Sequence, residues 1–231
     1  MTAIFRLAIT KGEAVRYISH LDYARTVERA LRRSKLPAAY SEGFNPHMKL
    51  AFASALSVGV TSEAEYLDIE LADDTVGAAT VEAALAGQLP AGLTITGVKQ
   101  ITAQHKALMA VVNLASYRVA VPLTGAAELA AVALDRFNQA ASVPYVKESP
   151  KGRRSVDIKQ YVDNIAGSVR AEGLELTMTV KITPTGSIKP AEVLAALVAD
   201  FALPADPAAA LITRTGLYID SKAGRSTPLE L

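Results

Sequence analysis

The sequence predicts an α+β protein made of two tandem ferredoxin-like units, which are split βαβ folds with antiparallel sheets. Two observations support this fold class. The order strand, helix, strand, strand, helix, strand occurs in the first half of the chain, and a similar order follows in the second half. The length of 231 residues, half of them apolar, suits one large domain or two small ones. We expect the units at residues 1–105 and 106–231.

The elements of the first half follow from periodicity and from helix boundary signals. Apolar residues that alternate predict strands, and apolar residues at helical spacing predict helices. Ser19 and Asp22 resemble a capping box at the start of the first helix, and Pro37 ends it. On the open face of the sheet, Arg6 is expected to pair with Asp68 or Glu70, for less than about 1 kcal/mol if exposed. The predicted elements are a strand at 3–10, a helix at 19–34, strands at 48–52 and 66–71, a helix at 75–89 and a strand at 93–98.

The second half is interpreted in the same way. The connecting stretch 102–116 has no strong linker composition, so the boundary is placed there from element order. Pro150 and Gly152 predict the turn of a hairpin. The predicted elements are a strand at 117–121, a helix at 125–141, strands at 143–147 and 155–159, a strand at 174–182, a helix at 189–201 and a strand at 210–219.

Composition excludes several classes of site. The chain has no cysteine, which excludes disulfides, thiolate zinc sites and cysteine-ligated iron–sulfur clusters within it. None of its three histidines are paired at helical spacing, so we predict no metal site and no cofactor, although carboxylate-held magnesium stays open. No segment approaches the roughly 18 apolar residues of a membrane span, and the N-terminus lacks the features of a signal peptide. We therefore expect no membrane contact and a cytoplasmic protein.

The first basic region lies near the N-terminus. Residues 1–60 carry nine Lys and Arg against four Asp and Glu, whereas the whole chain has a net charge of +1. Arg25, Arg29 and either Arg32 or Arg33 recur on one side of the first helix, and the candidate binding residues are Arg25, Arg29 and Arg33. A solvated helix face explains this pattern, and so does a stripe that binds the phosphates of a polynucleotide.

The segment YSEGFNPHMKL, residues 40–50, follows this helix. Gly43 and the Asn45-Pro46 pair are explained by a turn, because glycine adopts positive φ and proline holds the preceding residue extended. A turn does not explain the polar residues around them. His47 and Lys49 lie two apart, so they are expected on one side of a strand. The candidate binding residues of this segment are Ser41, Glu42, Gly43, Asn45, His47 and Lys49.

The second basic region is KESPKGRRSVDIKQY, residues 147–161. Residues 143–160 carry five Lys and Arg against two Asp and Glu. A solvated hairpin tip explains the pattern, and so does a second anion-binding surface. We predict that both basic regions form one phosphate-binding cleft, with RNA as the partner. The candidate residues here are Lys147, Lys151, Arg153 and Arg154.

The segments ISHLD, SEGFNPH and SEAEYLDIEL closely resemble those of bacterial radical SAM-linked proteins, a family of unknown function. The resemblance extends to about residue 220. Proteins of this family occur alone or attached to cobalamin-binding radical SAM proteins, so the resemblance implies a radical SAM protein as a partner. Because a radical SAM enzyme needs three cysteines for its cluster, this chain would supply binding or specificity.

We therefore predict a non-catalytic RNA- or phosphate-binding accessory protein, which gives specificity to a radical SAM enzyme. The alternative is a metal-independent RNA endonuclease, since the chain also resembles CRISPR repeat-RNA processing enzymes in architecture and in its early basic helix. In that interpretation His20 and His47 are the catalytic candidates. The segment TPTGSIKP, residues 183–190, departs from the Gly-rich loop of those enzymes, which weighs against the alternative.

Overall fold

The computed structural model describes residues 1–102, 106–149 and 152–231. The protein has a mixed α+β fold with mostly antiparallel strand pairing and few helices. It divides into two compact units: unit 1 contains residues 1–113 and 216–231, and unit 2 contains residues 114–215. The first boundary lies inside the predicted connecting stretch. The expected division assigns residues 216–231 to the second unit, whereas here they belong to unit 1.

Unit 1 follows the element order that the sequence predicts for its first half. The strand β2 is shorter and β3 longer than predicted, and the four-residue helix α3 is absent from the prediction. In chain order, the elements are β1 (Ala3–Lys11), α1 (His20–Arg33), β2 (Leu50–Phe52), β3 (Val60–Leu71), α2 (Ala78–Ala86), β4 (Leu93–Ile101) and α3 (Leu108–Val111).

The sheet of unit 1 has the order β4-β1-β3, and β2 also pairs with β3. All of these pairs are antiparallel. Alternate residues of β1 and β3 enter one hydrophobic core together with residues from α1 and α2. Each buried Leu, Ile, Val or Phe side chain contributes about 1.5–3 kcal/mol. The core residues of these four elements include Phe5, Leu7, Ile9, Tyr23, Val27, Leu31, Leu67, Ile69, Leu71, Val81 and Leu85.

The start of α1 is confirmed as predicted. The Ser19 hydroxyl oxygen accepts a hydrogen bond from the Asp22 amide at 3.1 Å, and it donates to the Asp22 carboxylate at 2.7 Å. This cap satisfies one of the amide groups that a helix leaves without a partner in its first turn. Tyr23, Val27 and Leu31 then point into the core, so the opposite side of α1 is left for charged residues.

The other face of the sheet carries a buried ion pair. The Arg6 guanidinium donates to both carboxylate oxygens of Asp68, at 2.8 and 2.9 Å, and the two side chains are only 1% and 8% exposed. The prediction that this face is open is wrong at Arg6 and Asp68, because the C-terminal turn Pro228–Glu230 partly covers it. Arg6 donates to the Pro228 carbonyl at 3.0 Å, and Lys99 donates to the Leu229 carbonyl at 3.0 Å.

Unit 2 contains an antiparallel set of strands in the order β5-β9-β8. The predicted hairpin forms a separate two-stranded sheet, β6-β7. The strand β8 is absent from the prediction, because only its first residue is buried and its sequence IAGSVR shows no clear alternation. The elements are β5 (Leu114–Val121), α4 (Ala127–Gln139), β6 (Pro144–Ser149), β7 (Gly152–Asp157), β8 (Ile165–Arg170), β9 (Gly173–Lys181) and α5 (Pro190–Phe201), followed by β10 (Leu211–Ser221), which ends in unit 1, and β11 (Gly224–Ser226).

The buried ion pair should be expensive to break. Replacing Asp68 by Ala leaves the Arg6 guanidinium in a buried place without its carboxylate, and we expect this to lower the free energy of unfolding by about 3–5 kcal/mol. The matched control is Asp220→Ala in the same unit. Asp220 pairs with Arg225 on the surface, with side chains that are about half exposed, so its loss should cost less than about 1 kcal/mol. Urea denaturation measures the free energy of unfolding of both variants. Equal losses in Asp68→Ala and Asp220→Ala would contradict the claim that burial makes the Arg6–Asp68 pair expensive to break.

The end of α5 offers a stabilising substitution. Ala202 has φ 57° and ψ 36°, the left-handed conformation, directly after the helix. That conformation costs a residue with a Cβ roughly 1–2 kcal/mol, whereas glycine adopts it freely but loses about 0.5–1 kcal/mol in chain entropy. We therefore expect Ala202→Gly to raise the free energy of unfolding by about 0.5–1 kcal/mol, measured by urea denaturation. Ala199→Gly, inside the same helix, should lower it by about 1 kcal/mol, and a loss of stability in both variants would refute this account.

Candidate nucleic-acid interface

Hydrogen bonds close the segment between α1 and β2 into a loop. The Ser41 amide donates to the His47 carbonyl at 2.8 Å, and the His47 amide donates to the Ser41 hydroxyl oxygen at 3.0 Å. Gly43 has φ 117°, a conformation that other residues rarely adopt. The tip of this 41–47 loop therefore requires the glycine, and its base is closed by Ser41 and His47.

The base of the 41–47 loop is attached to the sheet. The Ala39 amide donates to the Glu70 carbonyl at 2.8 Å, and the Glu70 amide donates to the Lys49 carbonyl at 3.0 Å. Met48 is 7% exposed and belongs to the hydrophobic core of unit 1. The chain is thus held at the last residues of β3 on both sides of the loop, and the tip extends from a fixed base.

Phe44 lies at the tip of this loop and is fully exposed, at 106% of its reference area. The residues on either side of it, Glu42 to His47, are exposed as well. Burying a Phe side chain normally contributes about 1.5–3 kcal/mol to folding. The exposed side chain of Phe44 does not contribute this energy to the folded protein. Phe44 is absent from the predicted binding residues, which are the polar and turn-forming residues of the segment. An aromatic residue between Gly43 and Asn45 was the available signal.

The exposed side of α1 carries four arginines, Arg25, Arg29, Arg32 and Arg33. The Arg25 guanidinium is 3.5 Å from the Asp22 carboxylate, and Arg33 donates to the Gln88 carbonyl. Within residues 1–102, 106–149 and 152–231, no ion pair involves Arg29 or Arg32. These two charges remain available to an anion.

A further cation follows the helix in a conformation unfavourable to it. Lys35 has φ 59°, a left-handed conformation in which glycine is the common residue after a helix. A side chain there costs roughly 1–2 kcal/mol. Glycine at this position would make the folded protein more stable. Lys35 instead adds a positive charge at the C-terminal end of α1.

The end of α1 and the 41–47 loop are attached to the same part of the sheet. The Pro37 carbonyl, four residues beyond Arg33, accepts a hydrogen bond from the Ala72 amide at 2.7 Å. Ala38 forms a bridge with Leu71, the last residue of β3. The chain that follows α1 and the base of the 41–47 loop are thus both attached to the end of β3.

The two histidines of the catalytic alternative lie on different elements. His20 is the first residue of α1, and its ring packs edge-on against Phe52 with centroids 5.1 Å apart. His47 lies in the 41–47 loop, and Lys49, two residues on, places its ammonium 3.0 Å from the Glu70 carboxylate. The exposure of His47 and Lys49, with Met48 buried between them, agrees with the predicted alternation. A shared cleft for His20 and His47 stays a prediction.

The described cations Lys147, Arg153 and Arg154 of the second basic region have partners within unit 2. Lys147 donates to the Ser187 carbonyl at 2.7 Å and lies 3.2 Å from the Glu192 carboxylate. Across the β6-β7 hairpin, Arg153 pairs with Glu148 at 2.8 Å. Arg154 donates to the Thr185 carbonyl at 3.3 Å. These contacts favour a structural role for the hairpin charges.

Two predictions about the second basic region stay open. Lys151 lies outside the described residues. The residues of the first basic region belong to unit 1 and those of the second to unit 2, and one cleft formed by both stays a prediction.

Other charged groups of unit 1 are structural. The Lys11 ammonium is buried and donates to the carbonyl oxygens of Arg16 and Val60, at 2.8 and 2.9 Å. Burial lowers the pKa of Lys11, and the nearby Glu65 carboxylate acts in the opposite direction.

Among the described residues, no three His, Asp or Glu side chains are grouped so that they could hold a metal ion. In the same part of the chain, no helix has both the length and the hydrophobicity needed to cross a bilayer.

The chain belongs to the family described as uncharacterized protein conserved in bacteria (DUF2344), which matches residues 5–190. None of the curated proteins compared with it matches. Among solved structures, it is similar to a chain in the crystal structure of a Cbf5-Nop10-Gar1 complex, with 10% identity and a TM-score of 0.51. This match covers 93% of the present chain and 48% of the other, so the chain spans about half the length of that relative. At this identity the likeness concerns the fold alone.

A second match is to the crystal structure of an unknown protein from Galdieria sulphuraria. The identity is 10% and the TM-score is 0.27, over 93% of this chain and 99% of that chain.

Phe44 in the 41–47 loop and Met48 just after it should differ in their contribution to the free energy of unfolding. We expect Phe44→Ala to change the free energy of unfolding by less than about 0.5 kcal/mol, because its side chain is fully exposed. Met48→Ala, four residues away, should lower it by about 2–5 kcal/mol, because it opens a cavity in the core. Urea denaturation of both variants measures this contrast. A large loss in Phe44→Ala would mean that Phe44 packs against the protein.

Proposed function

We propose that this member of the DUF2344 family binds single-stranded RNA, without cleaving it, through the 41–47 loop and the arginines of α1. The observation that carries the proposal is the full exposure of Phe44 in a loop attached to the end of β3, together with Arg29 and Arg32 on the exposed side of α1. Proteins that bind single strands combine an aromatic platform for bases with cations along the backbone. Both parts are present in unit 1.

The two parts supply different terms of the binding energy. A base stacked on an aromatic side chain contributes about 1–3 kcal/mol, with little dependence on sequence. Arginines that contact phosphates release counterions, which makes affinity fall with salt by about 0.7 logarithmic units per tenfold salt for each single-strand phosphate. Phe44 would therefore set affinity at all salt concentrations, whereas Arg29 and Arg32 would set its salt dependence.

We also infer that both units are ferredoxin-like. The strand order β4-β1-β3 with β2 on β3 supports this for unit 1. For unit 2 the support is the order β10-β5-β9-β8 with α4 and α5 between the strands. In this interpretation the β6-β7 hairpin is an insertion before the second strand of unit 2. It would explain why the prediction from the sequence placed that strand in the hairpin.

The accessory role beside a radical SAM enzyme is part of the same proposal. Its support is the sequence resemblance together with the absence of cysteine from the chain. A partner would then have to supply the cysteine-ligated cluster, and this chain would hold the RNA.

The test is fluorescence anisotropy of a labelled oligouridylate across a salt series. We expect Phe44→Ala to weaken binding by about 1–3 kcal/mol with an unchanged salt slope. The double variant Arg29→Gln with Arg32→Gln should flatten the slope by about 1.4 logarithmic units per tenfold salt, for two phosphates. The matched control is Lys222→Gln with Arg225→Gln, which removes the same charge elsewhere in unit 1.

The outcomes discriminate between explanations. Equal slopes in the α1 variant and in the control would reduce binding to general charge and refute the proposed interface. An unchanged affinity of Phe44→Ala would remove the stacking platform. Turnover of the RNA by the purified protein, lost in His20→Ala or His47→Ala, would replace the proposal by the nuclease alternative.

A further inference from the structure

A cavity of about 580 Å³ lies in unit 1, and it is separate from the 41–47 loop. Arg6 of β1 and Lys99 of β4 line it, and the two are direct neighbours in the strand register. This is the face of the sheet that the C-terminal turn partly covers, because Arg6 and Lys99 hold that turn. The volume lies in the range of about 300–1,000 Å³ that is usual for small-molecule sites.

Three cationic side chains, Arg6, Lys99 and Lys106, line the cavity, and among the described residues no acidic side chain does. Two of these three cations already have partners. Arg6 is paired with Asp68, and Lys99 donates to oxygens of Leu229 and Leu231, at 3.0 and 2.7 Å.

Lys106 differs from the other two cations. It is exposed and makes no ion pair with any described residue. An anionic group in the cavity would therefore meet its ammonium without displacing an ion-pair partner among the described residues.

The remaining walls are largely apolar. Ile101 of β4, Val111 of α3 and Ile219 of β10 line the cavity, and each is half-buried. An apolar body placed against them would remove hydrocarbon surface from water, at about 25 cal/mol for each Å². The lining therefore combines an apolar wall with positive charge, and a ligand that uses both must be amphipathic and anionic.

We propose that this cavity binds a small amphipathic organic anion, with a carboxylate or phosphate near Lys106 and a hydrocarbon body against Ile101, Val111 and Ile219. Arg6 and Lys99 serve the site indirectly, because their existing partners hold them in the lining. Such a ligand differs from RNA in size and in its need for an apolar wall. The site is therefore independent of the proposed RNA interface.

The test compares octanoate, octyl phosphate and 1-octanol, which share a hydrocarbon chain and differ in charge, by isothermal titration calorimetry on the full chain. We expect both anions to bind at least tenfold more tightly than the alcohol. Lys106→Gln should weaken anion binding roughly tenfold, the effect of losing one charged contact, and leave the binding of 1-octanol unchanged. The matched control Lys222→Gln, which removes an exposed lysine outside the cavity, should change neither.

Further outcomes decide the remaining points. A preference for octanoate or for octyl phosphate identifies the head group, and either one supports the site. Equal binding of the anions and the alcohol would refute the assigned charge recognition, and so would an equal loss in Lys106→Gln and Lys222→Gln. No binding of any of the three would overturn the proposal. Displacement of oligouridylate by octanoate would contradict the independence of the two sites.

Discussion

The register of β1 on β3 is the constraint on which the rest of unit 1 depends. Because successive side chains of a strand point to opposite faces, a slip of one residue would exchange the two faces. The observed register places Leu7 opposite Leu67 in the core and Arg6 opposite Asp68 on the other face. If β1 slipped by one residue, Arg6 would enter the core and Asp68 would stay on the other face without it. The bidentate pair therefore gives the register specificity as well as energy.

The same register determines where the exposed groups of unit 1 emerge. The end of β3 holds the chain after α1 through Ala38 and Ala39, and it holds the chain before β2 through Lys49. Between these attachments Tyr40 forms a bridge with Met48 and Ser41 bonds to His47, and Phe44 extends from this closed base into solvent. A fixed base with an exposed aromatic tip loses less conformational entropy on binding than a free chain would.

Much of unit 1 could be predicted from the sequence, because its signals are local. Ser19 and Asp22 define the start of α1, and the alternation of Met48 with its neighbours is as expected. The burial of Arg6 could not be predicted, since it depends on a turn more than 200 residues away along the chain. The C-terminal turn has no periodic pattern, so nothing local indicates what it covers. The sequence could suggest a partner for Arg6, but not the dielectric environment of the pair.

The candidate site shows the same division between local and non-local information. The exposure of Arg29 and Arg32 follows from the apolar stripe of α1, which the sequence displays. The partners of the hairpin cations could not be predicted in this way, because Lys147 and Arg154 contact a segment about thirty to forty residues later in the chain. The two basic regions look equivalent when their charges are counted. They differ in their contacts, because the described cations of the hairpin have partners in unit 2, whereas Arg29 and Arg32 make no ion pair with any described residue. A cation that already has a partner must give up that contact before it binds a phosphate, whereas a cation without an ion pair does not. The α1 surface is therefore a stronger candidate for binding phosphates than the hairpin.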